Sequence, residues 1–198
     1  MASEPLVLGF DTSAAHCAAA LLRGDAVLAS RLEEMSRGQA ERLMPLLEEV
    51  LAEGGATWAD LDAIGVGIGP GNFTGIRIAV SAARGLALGL EIPAVGVDGF
   101  EARTAEGSLP AVPAPRDQVY AALPGEAPRL MLRQEAEDTA RGAGLAFAPE
   151  ASPAGIAEAI ARIAAARFET VTVPPAPLYL RAADAAPSSD VPPALIDE

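Results

Sequence analysis

Two short turns in this chain carry groups that could contact a phosphate. The first, Asp-Thr-Ser, follows an apolar run at residues 6–10 and could present a carboxylate and hydroxyls to a metal-bound phosphate. The second, Gly-Pro-Gly-Asn, precedes a helical stretch, and the backbone N–H groups at a helix N-terminus attract anions. Both sequences are also common in plain turns and caps, so that interpretation stays open. The candidate phosphate-loop residues are Asp11, Thr12, Ser13, Gly69, Gly71 and Asn72.

The residues available for nucleophilic or metal chemistry are few. The single histidine and the single cysteine are adjacent, as His16 and Cys17. On a strand they would point to opposite faces, which excludes a Cys–His dyad between them, and a His/Cys zinc site cannot be assembled. A Ser–His–Asp triad through His16 stays formally open, but we favour a structural histidine. The absence of lysine excludes a Walker A lysine, a protein-kinase lysine and Schiff-base chemistry.

The elements that position these turns are predicted from periodicity and turn residues. Three strands form a meander and helices then alternate with strands, which is typical of an α/β protein with a mixed sheet and helices packed on it. Pro45 is expected to kink the first helix or mark a fresh first turn. The predicted order is β-β-β-α-β-α-β, with strands at 6–10, 17–22, 26–32, 61–68 and 92–97 and helices at 39–51 and 74–90.

Beyond residue 98 the pattern weakens. Residues 109–115 contain three prolines and indicate a strand end or extended loop, while 119–123 and 130–133 are predicted to pair as strands around Pro124 and Gly125. Residues 153–167 predict a helix with Ser152 as its cap and Pro153 near its first turn. We predict an N-terminal lobe at 1–103, a smaller second lobe at 104–181 and a flexible, acidic tail at 182–198.

The composition of the chain limits the cellular compartment and the binding partners that we expect for it. A formal net charge of −13 argues against direct binding of nucleic acid, which needs clustered Lys and Arg. One cysteine allows no intrachain disulfide, which fits a reducing cytosol. The N-terminus lacks a secretory pattern, and Arg and Gly interrupt every apolar run, so we expect a cytoplasmic protein with no membrane span.

Several segments resemble the TsaB (YeaZ) family of bacterial tRNA threonylcarbamoyladenosine biosynthesis proteins. The resemblance covers about residues 5–103 and a short C-terminal motif. It implies an actin-like ATPase fold of the acetate kinase, Hsp70 and actin superfamily, which is ribonuclease H-like, with a reduced second α/β lobe. The two phosphate-type turns would then be vestigial. The matching segments read FDTS at 10–13, QAERLMP at 39–45, GPGNFTGIR at 69–77, GLALG at 85–89 and PLYLR at 177–181.

The resemblance implies a supporting role in tRNA modification. Family members act as non-catalytic partners of TsaD, the transferase of similar fold, together with the ATPase TsaE, and they also form homodimers. The modified residue is the adenosine beside the anticodon, and this subunit would reach tRNA only through the complex. No cofactor is required, with room only for weak binding of ATP, ADP or Mg²⁺.

A departure from TsaD supports the non-catalytic version. The His-x-x-x-His metal pair of TsaD corresponds here to Gly99 and Arg103. Glycine has no ligand atom and a guanidinium repels a cation, so the resemblance implies no metal site and no catalytic residue. Two alternatives stay open: an ATP-dependent small-molecule kinase or ATPase that uses Asp11 and Gly71, and a glycoprotease-type metallopeptidase.

The helix at 74–90 is apolar on three sides, so a sheet can cover one side and another surface must cover a second. We expect the helices at 39–51 and 74–90 to lie side by side and to form a four-helix bundle with the equivalent helices of TsaD or a second copy. Burial of both helices by the second lobe is the alternative. The predicted interface residues are Leu43, Leu47, Leu51, Ile76, Ala79, Val80, Ala82, Ala83 and Ala87.

Overall fold

The structure is a computed structural model that describes residues 4–123, 125–151 and 155–180. The predicted flexible tail at 182–198 lies outside the described residues. The same is true of Pro124, of the predicted cap Ser152 with Pro153, and of Arg181 in the C-terminal motif.

The first sheet is five-stranded and mixed, in the order β3-β2-β1-β4-β5. β1 pairs antiparallel with β2, and β2 with β3, whereas β1, β4 and β5 run parallel. This order and mixture confirm the predicted α/β class and its actin-like, ribonuclease H-like sheet. The strands are β1 (Leu6–Asp11), β2 (His16–Arg23), β3 (Ala26–Glu34), β4 (Ala63–Gly67) and β5 (Ala94–Val97).

Helices cover both faces of this sheet. α1 (Gln39–Glu53) and α2 (Phe73–Leu90) bury their apolar stripes against the face that carries Leu8 and Phe10. Alternation along the strand sends Val7 to the opposite face. Pro45 lies inside α1 on its exposed side, and the helix continues past it for two further turns.

α4 (Ile156–Arg167) packs on that opposite face, directly over β1 and β4. Two glycines allow the close approach: a Cβ at Gly9 would lie 2.7 Å from the Ala161 Cβ, and one at Gly65 would lie 2.8 Å from the Ala164 Cβ. The predicted boundary at residue 103 is therefore wrong for this helix. The first lobe is completed by a segment from the C-terminal part of the chain, because the second face of a parallel-type sheet has to be covered.

The second lobe is a four-stranded sheet in the order β8-β7-β6-β9, with α3 packed on one face. The predicted pairing of the strands near 119–123 and 130–133 is confirmed by the antiparallel register of Val119 opposite Met131. α3 and β9 were not predicted. The elements are β6 (Ser108–Ala114), β7 (Gln118–Ala121), β8 (Arg129–Leu132), α3 (Arg133–Gly142) and β9 (Ala146–Ala148).

By length and composition alone, α2 could cross a membrane, since its 18 residues have a mean hydropathy of 1.3 and 28% of them are buried. The prediction that Arg and Gly exclude every such segment was too strict on this criterion. In the structure the helix packs on β4 and β5 and contributes Ile76, Ala79 and Ala83 to the core.

An ion-pair network ties the N-terminal half of α1 to β3. The Arg42 guanidinium donates to both carboxylate oxygens of Glu33, at 2.6 and 2.7 Å, and to Glu49 at 2.7 Å. These hydrogen bonds hold the pKa values of Glu33 and Glu49 below their ordinary value of 4.5.

Replacing Arg42 with Met should therefore lower stability at neutral pH, by a small amount because the network is exposed. Both carboxyl pKa values are lower in the folded chain, so the stabilisation is present above the ordinary Glu pKa and disappears as the pH falls below it. Urea unfolding midpoints of the two proteins should differ at pH 7 and converge near pH 3. Arg141→Met is the matched control, since Arg141 pairs only with Asp138 on an exposed turn of α3. Equal midpoints at pH 7 would contradict the network's role.

Candidate functional site

The two phosphate-type turns lie together at the carboxyl edge of the parallel strands β1 and β4. The Asn72 N–H donates to the Ser13 carbonyl at 2.7 Å, and the Thr12 hydroxyl donates to the Gly75 carbonyl at 2.7 Å. A Cβ at Gly71 would overlap the Ser13 carbonyl oxygen. The turns therefore interlock, and the glycine is needed for that contact.

Several backbone donors of these turns and of the first turn of α2 have acceptors within the chain. The Ser13 N–H donates to Asp11 Oδ1 at 3.0 Å, and the Gly75 N–H donates to the Asn72 side chain at 2.8 Å, so Asn72 caps α2. The Ile76 N–H is taken by the Asn72 carbonyl at 2.9 Å. A helix N-terminus binds phosphate through free N–H groups, and here the Gly75 and Ile76 N–H groups already have acceptors within the chain. The assignment of a vestigial phosphate site stays a prediction.

Asp11 is a buried carboxylate, 2% exposed, at the centre of a small polar cluster. Its Oδ1 accepts the Ser13 hydroxyl at 2.9 Å and lies 2.7 Å from His16 Nε2. In a Ser–His–Asp triad the histidine stands between the serine and the carboxylate. Here Ser13 and His16 bind the same carboxylate oxygen, so the arrangement does not activate the serine.

The pairing of His16 with Asp11 was missed from the sequence. The hairpin connection could have predicted this pairing, because Asp11 ends β1, His16 begins β2, and only four residues separate them. Cys17, on the other side of β2, is fully buried, and burial is the main reason that the pKa of its thiol is raised to about 11. A thiol that stays protonated is a poor nucleophile.

The cluster opens into a cleft of about 720 Å³ between the first sheet and the second lobe. Residues from several elements line its polar part, and Val97, Val112, Ile156 and Ile160 line its apolar part. Sequence reasoning did not identify this cleft, because α4 and β6 lie far from β1 along the chain. The charged or titratable lining residues are Asp11, His16, Glu34, Arg103 and Glu150.

The two positions that correspond to the metal pair of TsaD lie at this cleft and are tied to each other. Arg103 Nη1 donates to the Gly99 carbonyl at 2.9 Å, and Arg103 Nε donates to the Pro149 carbonyl at 2.7 Å. Burial lowers the pKa of the Arg103 guanidinium, although Asp11 and Glu150 act in the opposite direction. Across residues 4–123, 125–151 and 155–180, no three His, Cys, Asp or Glu side chains form a cluster that could hold a metal ion. These residues do not fit a metal site of the kind that TsaD carries.

Most of the predicted interface residues belong to the chain's own core. Seven of the nine are buried and contact the first sheet or its flanking helices, and only Ala82 and Ala87 are partly exposed. The prediction was wrong for the seven because the sheet takes the most apolar side of each helix. The buried residues are Leu43, Leu47, Leu51, Ile76, Ala79, Val80 and Ala83.

A different side of α2 faces solvent, and it is both apolar and basic. Leu88 is 82% exposed and Phe73 is 36% exposed. Within the described ranges, neither Arg77 nor Arg84 forms an ion pair. The exposed set, called here the α2 outer face, comprises Phe73, Arg77, Ser81, Arg84, Gly85 and Leu88.

The C-terminal motif supports one end of the α2 outer face. The Tyr179 ring stacks on Phe73 with centroids 4.7 Å apart, and the Arg77 guanidinium lies 5.4 Å from the Phe73 centroid. The Leu178 N–H donates to the Ile68 carbonyl at 2.8 Å, which fixes this segment beside the second turn. Distant parts of the sequence resemblance therefore meet at one surface.

Sequence comparison gives matches to one group of tRNA-modification proteins. A family profile described as TsaD, tRNA N6-adenosine threonylcarbamoyltransferase, matches residues 33–145. The chain is 37% identical over 91 residues to the tRNA threonylcarbamoyladenosine biosynthesis protein TsaB of Escherichia coli, which covers 46% of this chain and 39% of that protein. It is 34% identical over 204 residues to the uncharacterized protein Mb3455c of Mycobacterium bovis, which covers 91% of this chain and 94% of that protein.

The matches to the first two TsaB relatives span 39% and 51% of those proteins' length. Structural comparison extends the likeness over most of the chain. A crystal structure of an uncharacterized protein with similarity to peptidase YEAZ, from Pseudomonas aeruginosa, superposes with a TM-score of 0.67 at 25% identity. The superposition covers 89% of this chain and 100% of that one.

Proposed function

Because this chain belongs to the TsaB (YeaZ) family, we propose that it takes part in tRNA threonylcarbamoyladenosine biosynthesis as a non-catalytic partner subunit. It pairs with a TsaD-like transferase, works in the cytoplasm with a TsaE-like ATPase, and also forms homodimers. Contact with tRNA is made through the complex, since a chain with a net charge of −13 is poorly suited to bind it directly.

The observation that carries the proposal is the α2 outer face. It exposes the apolar side chains of Phe73 and Leu88 to solvent, and Ile78, Ala82 and Leu86 beside it on the same helix are only partly covered by the core. Exposed apolar strips of this kind mark interaction surfaces. The outer side of α1 adds Met44, which is 37% exposed. Two neighbouring helices of a partner would complete a four-helix bundle, and a standard interface buries ~1,600 Å².

The polar cluster supports a non-catalytic role. Ser13 and His16 share one oxygen of Asp11, and Arg103 occupies a position that corresponds to a metal ligand in TsaD. The kinase alternative has less support, because the Ser13 and Gly75 N–H groups beside the two turns already donate within the chain. The metallopeptidase alternative lacks metal ligands among the described residues.

Reconstitution tests the proposal directly. The purified chain should transfer no threonylcarbamoyl group to tRNA alone, and adding it to a TsaD-like transferase with a TsaE-like ATPase should raise the rate of modification at the adenosine beside the anticodon. The control omits only this chain. Modification of tRNA by this chain alone, ATP turnover without the other subunits, or no effect on the transferase would each contradict the proposal.

A further inference from the structure

Arg103 is a partly buried cation that forms no ion pair with the described residues, although Asp11 and Glu150 act on its charge from a greater distance. Two of its five N–H groups go to the backbone carbonyls of Gly99 and Pro149. No carboxylate of the described residues lies within 4.0 Å of its guanidinium, although burial lowers the pKa of that group. Arg103 lines the cleft, and its other three N–H donors have no hydrogen-bond acceptor among the described residues. A buried charge is normally paired, which makes these donors suited to a ligand carboxylate.

Asp11 offers the complementary group on the same cleft. It is 2% exposed, and its Oδ1 takes all three hydrogen bonds that it accepts, from Ser13 and His16. Its Oδ2 lies against the Cα of Gly67 and accepts no hydrogen bond from the described residues. A carboxylate oxygen in this position favours a positively charged donor.

The charges around the cleft select against a polyanion. Three carboxylates line it, those of Asp11, Glu34 and Glu150, against the permanent positive charge of Arg103 and the titratable His16. A triphosphate would meet more negative than positive charge at short range. A molecule with one carboxylate and one ammonium group would satisfy both ends, and a volume of about 720 Å³ is ample for it.

We propose that this cleft binds a free zwitterionic α-amino acid, with its carboxylate on Arg103 and its ammonium group on the side of Asp11. This binding is a property of the isolated chain and does not depend on the partner role. Failure of either proposal therefore leaves the other unaffected.

Isothermal titration calorimetry and thermal unfolding of the full chain test the inference with four probes. L-alanine or L-serine should bind and raise the melting temperature at millimolar concentration. Acetate, ethylamine and ATP with Mg²⁺ should each bind at least about tenfold more weakly, because each satisfies only one end of the site or brings excess negative charge. Arg103→Gln should weaken zwitterion binding about 10- to 100-fold, as expected for a charge-assisted pair.

Arg141→Gln is the matched control, since Arg141 is exposed on α3 and does not line the cleft, and it should bind like the unmodified chain. If Arg103→Gln does not fold, Arg103→Lys keeps the charge without the planar pair of donors and should still lose affinity. The inference is overturned if no zwitterion binds, if acetate or ATP binds as tightly as L-alanine, or if the folded Arg103 variant retains full affinity.

Discussion

Replacing Leu88 with Glu is expected to abolish stable association with the partner transferase and with a second copy of this chain, while the fold is kept. Leu88 is 82% exposed in the single chain, so the substitution disturbs no core contact. In a helical interface the same position would be desolvated, and burying a carboxylate there is costly even though Arg84 lies one helical turn away on the same face. We expect affinity to fall at least about tenfold, the loss typical of a hot-spot residue. Sedimentation velocity, alone and with the transferase, measures the effect.

Leu132→Glu provides the matched control for this substitution. Leu132 is 56% exposed at the end of β8, in the second lobe and away from the α2 outer face, so the same change should leave association intact. Circular dichroism should give the same spectrum for both variants. Loss of association in the Leu132 variant alone, or normal association in a folded Leu88 variant, would place the interface elsewhere.

The parts of the fold that the sequence predicted are those with strong local signals. β1 and β4 are short apolar runs that end in turns, and α2 starts after Gly-Pro-Gly-Asn with Asn72 as a side-chain cap. The meander of β1 to β3 follows from a tight turn at Gly24. Each of these signals depends on neighbouring residues, which is why one sequence was sufficient.

The sequence did not predict how elements that lie far apart along the chain pack against each other. Both sides of α2 are apolar, and periodicity alone does not say which side meets the sheet, so Val80 and Ala83 were placed at an interface although they are buried. α4 covers β1 across almost the whole length of the chain, and the cleft exists only once it does so. Gly9 and Gly65 allow α4 to approach the sheet closely. A glycine in a strand can also mark a bulge or a bend, so these two glycines alone do not predict the contact.

The two turns lie at one edge of the first sheet and contact each other. Their position at the carboxyl edge of β1 and β4 is where a ligand binds in open α/β sheets. Here the two segments hold each other, because the Thr12 hydroxyl donates to the Gly75 carbonyl and the Asn72 N–H donates to the Ser13 carbonyl. The interlock fixes the start of α2 and therefore the direction of its outer face. The contacts between the turns therefore support the start of the helix that carries the proposed interaction surface.

Replacing Gly75 with Ala tests that interlock, and it is expected to destabilise the fold by about 1–3 kcal/mol, the usual cost of overpacking. A Cβ at Gly75 would overlap the Thr12 carbonyl oxygen, which is backbone and cannot move aside without disturbing β1. The Thr12 hydroxyl bond to the Gly75 carbonyl, 2.7 Å and buried, would be strained at the same time. The urea midpoint followed by circular dichroism measures the loss.

Gly85→Ala is the control on the same helix, because a Cβ at Gly85 meets nothing within 4 Å. There the higher helix propensity of Ala should raise stability by about 1 kcal/mol. Opposite signs at two glycines ten residues apart on α2 would separate the steric contact from propensity. If Gly75→Ala is as stable as the unmodified chain, the turns do not hold each other as tightly as the contacts indicate, and the start of α2 is fixed by its Asn72 cap and its sheet contacts instead.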